Sequence, residues 1–313
     1  MATSSTPTSR DAAVETEALE KRYPKVHALQ GVSLRIERGE IFALLGPNGA
    51  GKTTWISIVC GLVRASSGTA RVEGHNVVKD AMAARRLVGL VPQEVNFDPF
   101  FTGREALRFQ MGYYGQQPDE ARIEEVLAAM ELLAKADAGT RELSGGMKRR
   151  LLIAKALVHR PKVVFLDEPT AGVDVALRRD LWAYVRRLRE QGTTIVLTTH
   201  YLEEAEALAD RVGVIDHGTL VSLDTPERLI AKHGRKRMRV TFSAAPRATT
   251  LPAALLDIAP GAAIEGDTLE LSLPEHADLS ALLGALSTVG PIADVTTEAP
   301  TLEQVFLQLT ERR

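Results

Sequence analysis

Residues 41–54 read "IFALLGPNGAGKTT", an apolar run that leads directly into a glycine-rich loop. The run has the length of a buried strand, and residues 52–62 are predicted to form a helix that Gly61 can cap. The loop matches the spacing G-x-x-x-x-G-K-[ST], in which backbone N–H groups surround a phosphate and the lysine neutralises its charge. We therefore predict a phosphate site in an α/β sheet, formed by Gly46, Pro47, Asn48, Gly49, Ala50, Gly51, Lys52, Thr53 and Thr54.

A second glycine-rich loop precedes another predicted helix, at "LSGGMKRRL" (143–151). Ser144, Gly145 and Gly146 stand where backbone N–H groups and the helix dipole favour an anion. A single nucleotide does not obviously need two such loops in one chain.

Polar side chains follow three further apolar runs. Asp167 and Glu168 end "VVFLDE", Gln93 follows "GLVP", and His200 ends "TIVLTTH". Taken alone, such a carboxylate pair is usually a solvated turn, and such a Gln or His is usually a satisfied surface group. Next to a phosphate loop they favour a site, because ligands collect at the carboxyl ends of parallel strands.

The composition excludes several classes of protein. The 313 residues carry a net charge of −2, which argues against a general nucleic-acid binder. Cys60 is the only cysteine, so an intrachain disulfide is excluded and a reducing compartment is expected. The first 17 residues lack the apolar core of a signal peptide, and we find no apolar run long enough to cross a membrane.

The order of patterns divides the chain into three parts. Residues 1–16 are predicted to be a disordered tail, and 17–234 alternate between strands and helices, which predicts a mixed, largely parallel sheet covered by helices. Within this part, a helix is expected over 119–136. Residues 235–313 are predicted to be a small α+β domain whose closing helix packs either internally or against a second copy.

The order of these motifs resembles the nucleotide-binding domain of ABC ATPases over residues 17–234. The matching motifs are the Walker A loop (46–54), the Q-loop at Gln93, the signature 143–146, the Walker B residues Asp167 and Glu168, the D-loop Ala171-Gly172-Val173-Asp174 and the switch His200. The resemblance implies a P-loop nucleotide-binding domain with antiparallel β and helical subdomains, and Tyr23 as the aromatic that stacks on adenine.

The resemblance also implies how the residues act. ATP and Mg²⁺ would be the cofactors, with the metal held by Thr53, Gln93 and Asp167. Glu168 would activate the attacking water, Lys52 would stabilise the transferred phosphoryl group, and His200 would sense the γ-phosphate. In this family two copies pack head to tail, so that Ser144, Gly145 and Gly146 of one copy cover the ATP held by the other. Two phosphate loops therefore serve one nucleotide, but from different chains.

Longer segments narrow the resemblance. "VPQEVNFDPF", "LSGGMKRRL" and "TTHYLEEAEALADRVGVIDHG" are similar to ATPase subunits of ABC-2-type exporters of the daunorubicin-resistance group. The resemblance implies ATP hydrolysis that powers a separate integral-membrane permease for export, and a position at the cytoplasmic face of the membrane, bound to that permease. Met147 departs from the glutamine that this family often has there, while the phosphate-facing Ser144 and glycines are retained.

Two other classes of function remain as alternatives. A non-transport ABC ATPase of the repair type inserts long coiled coils before the signature, whereas only 51 positions (144 − 93) separate Gln93 from Ser144. The translation type carries two cassettes in one chain, and this chain has one. A purely structural nucleotide-binding module would have lost Glu168 or His200.

Three features outside the motifs remain. Six of the 15 aromatic residues fall within 97–114, and they indicate either a local core or a groove for a permease helix. The basic runs 148–150 and 233–239 are expected to face solvent, with anionic lipid headgroups as the alternative for 233–239, and neither is assigned a site.

Overall fold

The computed structural model describes residues 12–94, 97–170, 175–244, 251–252, 255–256, 259, 262–273 and 279–310. The chain forms two compact units that divide between Asp224 and Thr225. None of the helices within these described ranges is long and apolar enough to cross a membrane. The predicted D-loop, 171–174, lies outside the described residues.

The first unit contains ten strands and seven helices among its described residues. The strands are β1 (Ala12–Tyr23), β2 (Val26–Glu37), β3 (Ile41–Leu45), β4 (Ser67–Val72), β5 (His75–Asn76), β6 (Val88–Val91), β7 (Val163–Asp167), β8 (Thr194–Thr198), β9 (Arg211–Asp216) and β10 (Thr219–Asp224). The helices are α1 (Lys52–Val59), α2 (Ala81–Arg86), α3 (Gly103–Tyr113), α4 (Glu120–Ala129), α5 (Gly145–Leu157), α6 (Val175–Glu190) and α7 (Leu202–Leu208).

Six strands form a central sheet in the order β10-β9-β3-β8-β7-β6. All neighbouring pairs are parallel except β9 and β10. Every residue of β3, β7 and β8 is buried, which explains why these strands are apolar except at the strand ends Asp167, Thr194 and Thr198. The predicted mixed α/β sheet is confirmed, and its parallel strands bring residues 46, 92, 168 and 199 to one edge.

A second sheet of the first unit is antiparallel, in the order β2-β1-β4-β5. Its apolar face shares a core with the central sheet, and fully buried Trp55 lies in that core. The predicted disordered tail is wrong for residues 12–16, which begin β1. Val14 is buried between Ile36 and Val72, and the hydroxyl of Thr16 accepts the backbone N–H of Leu34 at 3.1 Å. Pairing with β2 and β4 orders this short segment, which follows the Ser- and Thr-rich start of the chain; residues 1–11 lie outside the described part.

The predicted helix over 119–136 is too long. Helix α4 ends at Ala129, and the chain then reverses at Glu131, which has φ +55°. The backbone N–H of Leu132 donates to Leu127 at 2.8 Å, and Leu133 is left 46% exposed in a short 3-10 turn. Leu133 fits the helical spacing in the sequence, but it lies beyond this reversal and does not belong to the helix face.

The second unit begins ten residues earlier than the predicted boundary at 235. It contains α8 (Pro226–His233), β11 (Lys236–Phe242), β12 (Ala263–Glu265), β13 (Thr268–Leu273), α9 (Leu279–Ser287), β14 (Ile292–Glu298) and α10 (Leu302–Thr310). Helix α8 belongs here because it contacts α10, and a Cβ added at Gly234 would lie 2.6 Å from the Pro300 side chain. The sheet order is β12-β13-β11-β14, and its buried face packs with Leu282 and Leu286 of α9.

Candidate active site

The loop between β3 and α1 has a backbone that only glycine fits at two positions. Gly51 has φ +109°, and a Cβ there would lie 2.5 Å from the carbonyl oxygen of Ala28. A Cβ at Gly46 would overlap the carbonyl oxygen of Ile215. The predicted strand, loop and helix are all present, and the loop has the close-approach geometry that suits a phosphate.

Lys52 begins α1 with its ammonium group turned back over this loop. Its Nζ donates to the carbonyl oxygens of Gly46 at 2.6 Å and Pro47 at 3.1 Å. Burial lowers the pKa of Lys52, and the charges of Glu168 and Asp167 oppose that shift. The neutral carbonyls stabilise the buried ammonium charge of Lys52 only in part. An anionic ligand bound in this loop would compensate the rest of that charge.

Asp167 and Glu168 lie where β7 ends beside β8. The hydroxyl of Thr198 donates to Asp167 Oδ1 at 2.5 Å, and the backbone N–H of Glu168 lies 3.1 Å from both the hydroxyl and the carbonyl oxygen of Thr198. Glu168 has φ +48°, a left-handed conformation that is uncommon for a residue with a side chain. The strand end therefore holds the two carboxylates in a fixed, locally strained turn.

One oxygen of Glu168 brings together two other predicted residues. Gln93 Nε2 donates to Glu168 Oε2 at 3.0 Å, and His200 Nδ1 lies 3.4 Å from the same oxygen. Gln93 follows β6 and His200 follows β8, on either side of β7 in the central sheet. The parallel order of the strands thus unites three residues that are far apart in the chain.

Two adjoining cavities hold most of the predicted site. The larger, about 850 Å³, is lined by Tyr23, Val26, Ala28, residues 48–54, Gln93, Glu168 and His200. Tyr23, at the end of β1, is 42% exposed there. The smaller, about 540 Å³, contains all three predicted metal ligands, Thr53, Gln93 and Asp167. A hydroxyl, an amide and one carboxylate suit Mg²⁺, which takes few protein ligands and keeps water and phosphate oxygens.

The signature residues do not join this site. Ser144 and Gly145 are exposed, and none of residues 144–146 is among the described residues that line either cavity. Ser144 instead caps α5, where its hydroxyl accepts the N–H of Met147 at 3.2 Å. Within one chain the two phosphate loops are therefore separate.

Arg149 contradicts the expectation that residues 148–150 face solvent, because it is only 5% exposed. All of its hydrogen bonds in the described part of the chain go to backbone carbonyls near Gln93 and Glu168. Helical spacing could have revealed this, since Leu152 and Ile153, three and four residues further on, are apolar and buried. The other predicted basic run, 233–239, keeps its exposed character at Arg235, Arg237 and Arg239.

The aromatic residues at 97–114 differ in exposure, which bears on the two interpretations given above, a local core and a groove for a permease helix. The rings of Phe101 and Phe109 pack 4.6 Å apart, and Tyr114 stacks on His159 at 3.6 Å. Phe100 and Tyr113 are each 82% exposed. Phe101, Phe109 and Tyr114 thus make local ring contacts without being fully buried, and Phe100 and Tyr113 are available for a partner.

Fold and site together define an ATP-hydrolysing enzyme of the P-loop class. The family model described as ABC transporter matches residues 29–171. Daunorubicin resistance ATP-binding protein DrrA3 of Streptomyces coeruleorubidus is 40% identical, over 96% of each chain. Nod factor export ATP-binding protein I of Burkholderia thailandensis is 39% identical, over 96% of this chain and 98% of its own.

This chain is also similar to a solved structure of an ATP-binding cassette. That structure is a dimer of an ATP-binding cassette in a post-hydrolysis state with ADP and Pi, and it is 27% identical with a TM-score of 0.63 over 68% of this chain and 98% of its own. The chain belongs to the ABC transporter family, as an ATP-hydrolysing subunit. The resemblance to the daunorubicin-resistance group is confirmed, and these relatives give no support to the repair or translation alternative.

Proposed function

We propose that this chain works as a head-to-tail pair that binds ATP and Mg²⁺ and powers a separate ABC-2-type permease for export. The observation that carries the proposal is the cavity in which the Walker A loop, Gln93, Glu168 and His200 meet while the signature residues stay outside it. One chain holds a nucleotide site that lacks its second phosphate loop.

The described side chains suit distinct roles toward the nucleotide. Thr53, Gln93 and Asp167 would hold Mg²⁺, which neutralises charge on the β- and γ-phosphates when it is bound. The amide nitrogen of Gln93 is engaged by Glu168, so its oxygen would be the ligand atom. Lys52 stabilises the transferred phosphoryl charge, and Tyr23 provides an exposed ring for the adenine.

Glu168 is the residue that accepts a proton from the attacking water. Its Oε2 already receives the amide of Gln93 and lies near His200, so these neighbours fix its carboxylate within the cavity. A positioned general base contributes roughly 10²–10⁴-fold to a rate. His200, half-exposed after the end of β8, would contact the γ-phosphate when the cavity is filled.

A second copy would supply the missing phosphate loop. Ser144 and Gly145 are exposed at the start of α5, where N–H groups and the helix dipole favour an anion. A related cassette is a dimer with ADP and Pi. Two copies related by a twofold axis would therefore form two equal sites, each from one Walker A loop and one signature.

A groove on the first unit suits a permease segment. It has a volume of about 460 Å³ and includes the exposed side chains of Leu62, Met82 and Tyr113. Exposed apolar side chains grouped in a groove are typical of binding surfaces. This permease would hold the chain at the membrane, and the relatives' names, daunorubicin resistance and Nod factor export, favour export as its direction.

The test pairs two leucine substitutions in a co-purification with the membrane protein encoded beside this chain. Leu62 lies in the groove and is 66% exposed, whereas Leu133 is 46% exposed outside it. We expect Leu62→Arg to lose co-elution from detergent and any stimulation of ATP hydrolysis by the membrane protein, while Leu133→Arg keeps both. Equal co-elution of the two variants would contradict the groove as the permease site.

A further inference from the structure

Arg149 of α5 lies among the backbone of two segments of the hydrolytic site. Its Nη1 donates to the carbonyl oxygens of Pro92 at 3.0 Å and Gln93 at 2.9 Å. Its Nη2 donates to Glu168 at 2.6 Å and to Asp167 at 3.4 Å, and its Nε donates to Pro169 at 2.8 Å. One guanidinium group therefore contacts the backbone after β6 and the backbone at the end of β7.

These contacts fix the two residues that form the Gln93–Glu168 hydrogen bond. Thr198 already accepts the N–H of Glu168, and Arg149 binds the carbonyl on the other side of the same residue. Glu168 has φ +48°, so the turn depends on partners that hold it in place. Arg149 also binds the carbonyl of Gln93, whose side chain reaches Glu168.

The charge of Arg149 is part of the same arrangement. The guanidinium is 5% exposed, and all of the hydrogen bonds described for it go to carbonyl oxygens rather than to carboxylates. Burial lowers its pKa, while the charges of Asp167 and Glu168 oppose that shift. Arginine remains charged in proteins, and its planar group holds several acceptors in fixed directions, which lysine cannot do.

Helix α5 carries Ser144 at its N-terminus and Arg149 in its second turn. We propose that Arg149 is a positioning residue of the hydrolytic site, which holds the backbone of Gln93 and Glu168 and joins that geometry to the helix that presents the signature serine. The inference rests on the proposed function of Glu168 as the base. Because that signature serves the second copy's nucleotide, Arg149 would link one copy's base to contact with the other copy's ATP.

Arg150 provides a matched control on the same helix. Its Nη1 contacts Glu131 and its Nη2 lies 3.5 Å from Asp180, so it pairs with carboxylates away from the catalytic cavity. Arg149→Lys keeps the charge but loses the planar donor group, and Arg149→Gln loses both. Arg150→Lys and Arg150→Gln make the same changes at the neighbouring position.

The experiment measures ATP turnover (kcat) and, separately, equilibrium binding of a fluorescent ATP analogue by the full chain. We expect both Arg149 variants to lose roughly 10- to 100-fold in kcat while their affinity stays within about threefold, because misplacement of a reacting group by about 1 Å costs about 10²-fold. The Arg150 variants should stay within about twofold of the unmodified chain in both measurements.

Two results would overturn the proposal. One is unchanged kcat in both Arg149 variants. The other is a loss of ATP affinity that matches the loss of kcat in Arg149→Lys as well as in Arg149→Gln, since Arg149 would then maintain the whole site rather than the position of the base. Glu168→Gln, assayed in parallel, separates this inference from the proposed function: normal turnover in that variant would remove Glu168 as the base, whatever the Arg149 variants do.

Discussion

A Cβ added at Gly51 of the first phosphate loop would have different neighbours from a Cβ added at Gly145 of the second. At Gly51 it would meet backbone in the left-handed region, so the fold itself requires glycine. At Gly145 it would meet nothing within 4 Å, and the residue is already the first of α5. The fold of this chain does not require glycine at position 145. We therefore infer that Gly145 allows close approach of a ligand or a partner.

Gly145→Ala separates these two roles. We expect the free energy of unfolding to stay the same or rise by up to about 1 kcal/mol, because alanine is the better helix former. ATP hydrolysis should fall about tenfold or more, because the methyl group would obstruct the amides that face the second copy's phosphate. The measurements are urea denaturation and steady-state ATP hydrolysis.

Gly112→Ala is the control for this change. Gly112 lies in α3, and a Cβ there also meets nothing within 4 Å, but it belongs to none of the motifs. The isolated chain should tolerate Gly112→Ala in both measurements. If Gly145→Ala hydrolyses ATP as fast as Gly112→Ala does, phosphate does not approach the signature loop closely.

At the scale of elements, His159 joins the C-terminal end of α5 to the central sheet and to α3. Its Nε2 donates to the carbonyl oxygen of Val88 in β6 at 2.9 Å, and its ring stacks on Tyr114. The buried Nδ1 atom has no hydrogen-bond partner among the described residues, which favours the neutral form of the ring. Burial lowers the pKa of His159 to about 4, and the nearby charge of Arg122 acts in the same direction.

This lowered pKa predicts how stability depends on pH. The unfolded chain takes up a proton near pH 6.5 and the folded chain only near pH 4, so the neutral ring stabilises the fold fully above pH 6.5 and that stabilisation is lost as the pH falls toward 4. Between pH 7 and pH 5 the loss from this one group is roughly 2 kcal/mol.

His159→Gln should flatten this dependence, because an amide donor does not titrate. We expect its free energy of unfolding to be lower at pH 7 but to fall roughly 2 kcal/mol less between pH 7 and pH 5 than that of the unmodified chain. His75 is exposed on β5, so His75→Gln should keep the full dependence. An identical pH dependence in the two variants would show that His159 is not the group responsible.

At the scale of the whole molecule, the proposed head-to-tail pair needs two copies for each complete site, because the two phosphate loops are separate within one chain. Lys52→Ala removes the lysine of the first loop, and Ser144→Arg blocks the second. Each variant alone should be inactive. In a mixture, the unmodified first loop of one chain faces the unmodified signature of the other, so ATP hydrolysis should return to about a quarter of normal if copies pair at random.

The control mixes the Lys52→Ala chain with a chain that carries both substitutions, because that mixture contains no intact first loop. If the two copies hydrolyse ATP only together, the mixture of single variants should still trap nucleotide in its intact site. Mixed pairs that form but neither hydrolyse nor trap ATP would argue against a site shared between chains.

The sequence by itself determined the parts whose geometry depends on neighbouring residues. The loop from Gly46 to Thr54 could be predicted because its spacing alone places the glycines and Lys52 around a phosphate. The carboxylates of Asp167 and Glu168 could be predicted because an apolar run of strand length ends directly before them. The resemblance then supplied the roles of Gln93, Ser144 and His200, which their local sequence does not specify.

Only the tertiary structure decided the features whose stability depends on distant partners. Residues 12–16 form a strand because β2 and β4 pair with this segment on its two sides. Helix α8 belongs to the second unit because α10 covers it. Arg149 is buried because five carbonyl groups from two segments replace the water that its charge would otherwise require. In each case the partner comes from far along the chain. Helical spacing with Leu152 and Ile153 could indicate that Arg149 is buried, but the local pattern of residues cannot reveal the groups that compensate its charge.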